Sequence, residues 1–330
     1  MKKNKAFSLV ELSVVILIIG ILIAGVTQSG RLIRQIKLST ARSVTASSDV
    51  ASIRDITAWF EASTEGVFTD INSNTDVEDK VVIKTWRDVN PQKSKGDKPT
   101  LTNNAANAQP KYISSGINGI PSVYFDGGSS TSGNNISDAT GDFLSSTDIP
   151  TMPLISKDKT YSMFAVFRAD LGKAKNVAII TQIGENLTSP TEQKFASIGF
   201  MGDASINGNP GFITGSTKIL SWVQDSVNKD QTDYIVGALV DFVTPTSVDA
   251  TSVKLYVNSL TPATFSAGRT VYASTDIDAK KFTVGANSLT TPNQNFTGMI
   301  SEVIVFDRKL KDEEAQSVMK YLRKKYNINT

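Results

Sequence analysis

The sequence predicts a mainly β protein in which an N-terminal helix precedes a sandwich of two antiparallel sheets and a short helix closes the chain. From about Trp59 onward, short apolar segments alternate with turns rich in Gly, Asn, Pro and Ser, and no helical pattern lies between them. Before Trp59, one nearly unbroken apolar run extends to Val26, and helical spacing of apolar residues continues to about Asp55. The second observation predicts the N-terminal helix and the first predicts the sheets.

The apolar run from Phe7 to Val26 has the length of a membrane-spanning helix, since about 20 residues cross the hydrocarbon core. Three lysines precede this run, and Glu11 lies one turn inside it. A carboxylate at the centre of such a helix costs ~2.5–3.5 kcal/mol, so Glu11 calls for a partner. Three other interpretations fit less well. An ordinary secretory signal would place small residues at a cleavage site after the run, and Glu11 would not interrupt its apolar core. A plain anchor leaves Glu11 unexplained, and a buried core helix would not follow three lysines.

The segment from Lys5 to Ser13, Lys-Ala-Phe-Ser-Leu-Val-Glu-Leu-Ser, resembles the class III signal of type IV prepilins and type II secretion pseudopilins. The resemblance implies that a prepilin peptidase removes residues 1–6 by cutting between Ala6 and Phe7, and that the new amine of Phe7 is methylated. Ala6 stands where the family more often has Gly. The resemblance also implies that the Glu11 carboxylate pairs with the amine of a neighbouring subunit in a filament.

The same resemblance assigns residues 7–57 to a transmembrane and stalk helix. It implies a single-pass protein of the inner membrane that later joins a cell-surface or periplasmic filament built from other pilin or pseudopilin subunits. Without residues 1–6, the chain has 31 basic and 32 acidic residues. This near-neutral balance gives no sign of a nucleic-acid partner.

Eight segments are the clearest strands of the predicted sandwich. Polar and apolar side chains alternate in some of them, whereas Met163–Phe167 is apolar on both faces and should lie inside the sandwich. The segments are Ser122–Phe125, Tyr161–Arg168, Val177–Ile183, Phe195–Met201, Ile219–Gln224, Tyr234–Val240, Val253–Val257 and Met299–Phe306. A closing helix follows, with acidic residues in its first turn and basic residues toward its end, as the helix dipole favours. Its apolar stripe consists of Ala315, Val318, Met319, Leu322 and Tyr326.

A second resemblance covers residues 58–330, which are similar to the concanavalin A-like, laminin-G-like jelly rolls of lectins and glucanases. It is carried by five segments: Ala58–Ser63, Thr85–Asp88, Asn118–Gly127, Leu255–Asn258 and Gly298–Phe306. The resemblance implies a curved sandwich that in many members binds carbohydrate, often with calcium. Function in such folds lies in the loops, so the fold alone names no site.

Composition excludes several kinds of chemistry. The chain has neither cysteine nor histidine, which rules out disulfides, Ser-His-Asp triads, Cys-His pairs and histidine-ligated zinc. Glucanases of the jelly-roll group carry paired carboxylates at alternating positions of one strand. No such pattern occurs, because Asp76-Val77-Glu78-Asp79 lies in a polar, loop-like segment and Glu302 stands alone on its strand. The sequence therefore predicts a protein that is not an enzyme and requires no cofactor.

Candidate ligand-binding residues are few. Oxygen-bearing side chains at every second position resemble the start of an EF-hand loop and make calcium a candidate ligand. This series is Asp70, Asn72, Asn74 and Asp76. Thr75 replaces the glycine of that loop and Val81 its closing glutamate, so a solvated loop is the alternative. Asp126 and Asp142 are further candidate ligands, or turn-capping residues. Trp222 is a candidate glycan contact, whereas Trp59 and Trp86 are predicted to pack in the core.

The sequence as a whole predicts a minor pilin or pseudopilin subunit of a type IV pilus or type II secretion filament. Its large head would be a lectin-like binding domain for adhesion or substrate recognition. The alternative is a membrane-tethered or secreted carbohydrate-binding module that does not polymerise. Processing at Ala6–Phe7 together with Glu11 separates the two hypotheses. No residue cluster identifies the ligand.

Overall fold

The computed structural model describes most of the chain, in segments. They are residues 9–105, 107–128, 141–146, 160–170, 177–185, 194–201, 209–214, 218–221, 233–241, 253–263, 282–286 and 295–328. These segments form a long N-terminal helix, two antiparallel sheets and a short C-terminal helix, which confirms the predicted fold class.

The N-terminal helix α1 extends without a break from Leu9 to Ala46, and a single 3-10 turn, Asp49–Ser52, follows it. The prediction that this helix continues to about residue 55 was therefore wrong. Serine and threonine side chains explain the earlier end, because their hydroxyls compete for backbone groups. Ser47 Oγ donates to the Ser43 carbonyl and Ser48 Oγ to the Thr45 carbonyl, at 2.8 and 2.9 Å.

Sixteen strands follow α1 in the described segments. They are β1 Ile56–Glu61, β2 Phe68–Asp70, β3 Ile83–Arg87, β4 Thr100–Thr102, β5 Lys111–Ile113, β6 Ser122–Phe125, β7 Leu144–Ser146, β8 Thr160–Ala169, β9 Val177–Glu185, β10 Lys194–Met201, β11 Asn209–Thr214, β12 Lys218–Ser221, β13 Asp233–Asp241, β14 Val253–Val257, β15 Phe282–Val284 and β16 Gly298–Phe306. All eight segments predicted as strands are among them; β6 and β14 have the predicted bounds, and the other six differ at one or both ends.

The strands form one sheet of seven and one of nine. The first sheet has the order β14-β13-β8-β16-β6-β5, and β1 pairs with the second half of β16. The second has the order β12-β11-β10-β9-β15-β7-β4-β3-β2. Strand β16 contacts β8 on one side and both β6 and β1 on the other. The centre of the first sheet is therefore built from the start, middle and end of the chain.

The seven-stranded sheet is buried on both faces, which explains the apolar character of Met163–Phe167. Met163, Ala165 and Phe167 lie in the core between the two sheets. Phe164 and Val166 face the other way, into a second core formed with the helices. Because helices cover this outer face, strands of the sheet have no polar side to present to water.

Helix α2, Asp312–Tyr326, packs on that outer face. Its five predicted stripe residues are all fully buried, which confirms the stripe. Glu314 fixes the start of the helix, since its carboxylate accepts from the Lys311 backbone N–H and pairs with both terminal nitrogens of Arg308 at 2.7 Å. Asn327 ends it in the left-handed conformation that commonly terminates helices.

Candidate functional site: the apolar helix and its junction with the sandwich

The first part of α1 exposes its apolar side chains. Every large apolar residue from Leu9 to Ile23 is at least 47% exposed in the single chain. The helix is long and apolar enough to cross a membrane, with a mean hydropathy of 2.8 in its most apolar window. A surface of this kind requires lipid or other apolar helices around it.

Glu11 lies in the first turn of this helix, on the exposed segment. Ala6 and Phe7, the residues of the predicted cleavage site, lie outside the described residues. Close to Glu11, Ser13 Oγ donates to the Val10 carbonyl at 2.8 Å, which satisfies that hydroxyl within the helix. The Glu11 carboxylate therefore belongs to a surface that lipid or neighbouring helices would cover.

The last turns of α1, by contrast, are docked on the sandwich. Ala41 is 2% exposed. Lys37 Nζ donates to the Asn118 carbonyl at 3.1 Å, and Arg42 Nε donates to the Ser63 carbonyl at 2.7 Å. Arg42 also forms an ion pair with Glu65. These contacts fix the direction in which the helix leaves the sandwich.

Beneath this junction lies a fully buried ion triad of Glu61 on β1, Glu302 on β16 and Lys325 on α2. Lys325 Nζ donates to Glu61 Oε1 at 2.6 Å, to Glu302 Oε2 at 2.8 Å and to the Tyr321 hydroxyl at 3.1 Å. An ammonium has three N–H donors, and all three are used. The side chains of the three charged residues are 0% exposed.

Glu302 is surrounded by donors. Trp59 Nε1 and the Tyr321 hydroxyl donate to its Oε1 at 2.7 and 2.8 Å, and the Tyr326 hydroxyl donates to its Oε2 at 2.9 Å. Burial raises the pKa of Glu302, Lys325 opposes this, and the charge of Glu61 adds to it. Burial and the carboxylates also raise the pKa of both tyrosines, so their hydroxyls stay protonated and donate.

Glu61 is the other anion of the triad, and the turn that follows β1 holds it. The backbone N–H groups of Ser63 and Thr64 donate to its two oxygens at 2.7 and 2.8 Å, and both hydroxyls donate as well. Burial acts to raise the pKa of Glu61, but the charge of Lys325 and these hydrogen bonds outweigh it and lower the pKa. These contacts favour the ionised form of Glu61 beside Lys325.

The triad is connected to the stalk. The Thr45 hydroxyl, in the last turn of α1, lies 3.1 Å from the Tyr321 hydroxyl, which in turn donates to Glu302. A continuous series of hydrogen bonds thus connects α1, α2 and β16. This arrangement was not predicted from the sequence. Its signals were an acidic residue inside each of two apolar strands and a lysine seven residues after Val318 on the apolar stripe of α2.

The Asp70 loop is closed by its own hydrogen bonds. The Asp70 carboxylate accepts from the backbone N–H groups of Asn72 and Asn74 and from the Asn74 side-chain amide, each at 2.8 Å. These hydrogen bonds lower the pKa of Asp70, and the one from the Asn74 side-chain amide has the largest effect. Asn72 and Asp76 are exposed. Asp70 in this structure acts as the cap of a tight turn, in which Ser73 has φ 68°.

Asp126 and Asp142 lie side by side at one end of the sandwich. The Asp126 N–H donates to Asp142 Oδ2, and the Asp142 N–H donates to the Asp126 carbonyl, both at 2.7 Å. Burial raises the pKa of Asp142 to about 7, and the charge of Asp126 adds to the effect. Asn295, 1% exposed, lies against Gly141, and its amide nitrogen and oxygen make no hydrogen bond with the residues that the structure describes.

Calcium takes six to eight oxygen ligands. The described residues nowhere bring together three or more acidic side chains that could hold a metal ion. Asp126, Asp142 and Asn295 supply too few oxygens for such a site. The described residues therefore do not by themselves fit the calcium ion that the laminin-G resemblance implies.

Trp59 and Trp86 are 2% and 0% exposed, which confirms that they pack in the core. Trp222 lies outside the described residues.

Residues 1–27 match the family model described as the prokaryotic N-terminal methylation motif. The chain begins with a type IV pilin signal. In this structure the part of the signal from Leu9 onward is the exposed apolar end of α1. No curated protein matches the sequence significantly.

Among solved structures, the K499G mutant of the NanB sialidase from Streptococcus pneumoniae is similar over 59% of this chain and 27% of its own, at 15% identity and a TM-score of 0.37. The CBM40 domain of the Ruminococcus gnavus IT-sialidase, solved with α2,3-sialyllactose, is similar over 59% of this chain and 96% of its own, at 13% identity and a TM-score of 0.38. Botulinum neurotoxin type C is similar over 80% of this chain and 51% of its own, at 11% identity and a TM-score of 0.46. The chain thus spans about a quarter of the NanB structure. Similarities of this size carry no information about ligand or activity.

The two carboxylates of the buried triad, Glu61 and Glu302, do not form a hydrolytic pair. Most glycosidases use two carboxyl groups that flank the bond to be cut in an open cleft. Glu61 and Glu302 are instead bonded to the same lysine and have no exposed side-chain surface. The arrangement is suited to holding three elements and the stalk together, and it gives no sign of catalysis.

The raised pKa of Asp142 allows us to predict how the stability of the sandwich depends on pH. Its pKa of about 7 in the fold exceeds the value of about 3.9 in an unfolded chain. Its contribution to stability is therefore present at low pH and is lost as the pH rises from about 4 to 7. Asp88, whose burial raises its pKa to about 6, acts in the same direction. We expect the Asp142→Asn variant to show a weaker fall in unfolding free energy between about pH 4 and 7 than the unmodified chain.

Denaturant unfolding of the detergent-solubilised chain at several pH values measures this effect. Asp76→Asn, at an exposed carboxylate, is the matched control and should keep the original pH profile. An unchanged profile in Asp142→Asn would show that the carboxyl does not titrate as proposed.

Proposed function

We propose that the protein is a pilin-like subunit, a minor pilin or pseudopilin, of a type IV pilus or type II secretion filament. A prepilin peptidase cuts it between Ala6 and Phe7, and Phe7 is then N-methylated. The observation that carries the proposal is the match of residues 1–27 to the methylation motif on a helix whose apolar side chains are exposed and whose far end is docked on a large sandwich.

In this proposal, α1 first holds the subunit in the inner membrane and then moves into the core of a filament. Lipid and neighbouring apolar helices are equally suited to its surface, so transfer between them costs little hydrophobic free energy. Glu11 gains the amine of a neighbouring Phe7 only in the filament. The pairing offsets the cost of an ionised carboxylate in an apolar setting and therefore favours assembly.

The sandwich would be the displayed part of the subunit, a lectin-like domain for adhesion or substrate recognition at the cell surface or in the periplasm. Support for a carbohydrate ligand comes from the laminin-G-like segments of the sequence. Asp126 and Trp222 are the proposed ligand contacts, since Asp126 lies at an end of the sandwich and Trp222 is followed in the sequence by Gln224 and Asp225 near a predicted loop. The proposed function requires no cofactor, and calcium at the Asp70 loop or near Asp126 would need further oxygen ligands.

Mass spectrometry of the N-terminus tests the proposal. The chain isolated from cells that contain a prepilin peptidase should begin at Phe7 and carry one additional methyl group. Ala6→Gly, which introduces the residue more common in the family, is the control and should give the same terminus. A mature chain that keeps residues 1–6, or begins elsewhere, would favour the alternative of a membrane-tethered or secreted carbohydrate-binding module that does not polymerise.

A further inference from the structure

The length of α1 sets the height of the sandwich above the membrane. If Phe7–Val26 fills the hydrocarbon core, α1 rises about 12 Å further before it reaches Arg34. The headgroup layer accounts for about 5–7 Å of this distance. Lys37, one turn after Arg34, already contacts the sandwich through the Asn118 carbonyl. The nearest loops of the sandwich therefore lie next to the headgroups.

The contacts along α1 show which loop this is. Arg42, farther from the membrane, bonds the carbonyl of Ser63 in the turn that joins β1 to β2. Lys37, nearer the membrane, bonds the Asn118 carbonyl, and Ser114, in the same connection between β5 and β6, donates its backbone N–H to the Asp79 carboxylate after β2 at 2.7 Å. Hydrogen bonds from Ser114 and the charges of Lys80 and Arg34 lower the pKa of Asp79. Strand β2 thus runs toward the membrane, and residues 71–80, which we call the base loop, form its membrane-facing end.

The base loop has an unusual apolar residue. Across the segments that the structure describes, Ile71 is the only large apolar side chain outside α1 that is prominently exposed, at 57%. The turn that presents it is rigid, because the Asp70 carboxylate holds the N–H groups of Asn72 and Asn74. A hydrogen-bonded turn that holds an isoleucine toward solvent is suited to contact with an apolar boundary.

The exposed charges of the base loop and of the part of α1 next to the membrane are of both signs. Arg31, Arg34 and Lys80 are exposed, and so are Asp76 and Glu78. Long arginine side chains reach back from α1 toward phosphate groups while their stems follow apolar surface. Acidic side chains would meet the ammonium groups of zwitterionic lipids. This mixture suits a zwitterionic headgroup layer better than a strongly anionic one.

We propose that the base loop rests in the headgroup layer of the bilayer that holds α1, with Ile71 inserted at the interface and Arg31 and Arg34 bound to lipid phosphates. This inference rests on the proposed function only in that α1 occupies a membrane before assembly. It gives the Asp70 turn a role as the support of a membrane contact.

The chain contains no cysteine, so a single introduced thiol can be labelled without background. The full chain carrying Ile71→Cys is labelled with an environment-sensitive fluorophore and reconstituted into phosphatidylcholine vesicles that contain a lipid with a quencher near the headgroup. Lys95→Cys is the matched control, because Lys95 is exposed in the segment whose Gln92 bonds the Ala51 and Ile53 carbonyls beyond the far end of α1. We expect quenching at position 71 to be several-fold stronger than at position 95.

Two further variants separate the outcomes. Val14→Cys reports whether α1 itself enters the bilayer: quenching at position 14 without quenching at position 71 overturns the base-loop contact alone. Absence of quenching at position 14 would overturn the membrane stage of the proposed function as well. Adding Asp70→Ala to Ile71→Cys should weaken quenching at position 71, and unchanged quenching would show that the turn does not position the contact.

Discussion

Replacing Lys325 by methionine should lower the free energy of unfolding by about 3–5 kcal/mol, the usual cost of removing one partner from a buried ion pair. Methionine matches the length of the lysine stem, so the loss of volume is small. The variant leaves Glu61 and Glu302, both 0% exposed, without their shared cation. Urea unfolding of the detergent-solubilised full chain, followed by tryptophan fluorescence, measures the change, since Trp59 donates to Glu302.

Lys320→Met is the matched control for this prediction, because the same substitution lies on an exposed position of α2. It should change the unfolding free energy by no more than about 0.5 kcal/mol. Combining Lys325→Met with Glu61→Gln and Glu302→Gln should restore part of the loss, since the buried charges are then gone. Equal stability of Lys325→Met and Lys320→Met would contradict a structural role of the triad.

The triad joins distant parts of the chain to the stalk. Thr45 of α1 contacts Tyr321, and Tyr321 contacts Glu302, which connects the stalk to the central strand β16. Lys37 and Arg42 add further contacts with the sandwich. The orientation of the sandwich on its helix is therefore set by buried and charged contacts. In a filament, every subunit would present the sandwich at the same angle to the axis.

Local patterns in the sequence were sufficient for the fold class. The apolar stripe of α2 follows from spacing alone, and Met163–Phe167 could be recognised as a strand with no solvent-exposed face. The reason for its two buried faces was only half predicted, because one face meets the second sheet and the other meets the helices. Which layer covers a strand depends on long-range packing that a local pattern does not contain.

The candidate site was harder to predict because its members are far apart in the chain. Glu61 and Lys325 are separated by 264 positions, and only the pairing of β1 with β16 brings Glu61 near Glu302. Glu302 therefore appeared isolated. Asp70 shows the opposite difficulty: its oxygen-rich spacing suggests a metal loop, whereas the same carboxylate serves two backbone N–H groups of its own turn.

Glu11→Ala should leave the chain processed at Ala6–Phe7 and membrane-bound but exclude it from filaments. In the filament proposed here, removing the Glu11 carboxylate leaves the methylated amine of a neighbouring subunit charged in an apolar core. By analogy with buried ion pairs, this costs about 3–5 kcal/mol, and even the lower value corresponds to a more than 100-fold loss of incorporation. The measurement is the ratio of sheared filament to membrane fractions by immunoblot.

Ser13→Ala, which removes only a hydroxyl bonded within the helix, should assemble normally. Incorporation of Glu11→Ala at the level of Ser13→Ala would exclude the proposed pairing, whereas loss in both variants would point to helix packing instead of charge.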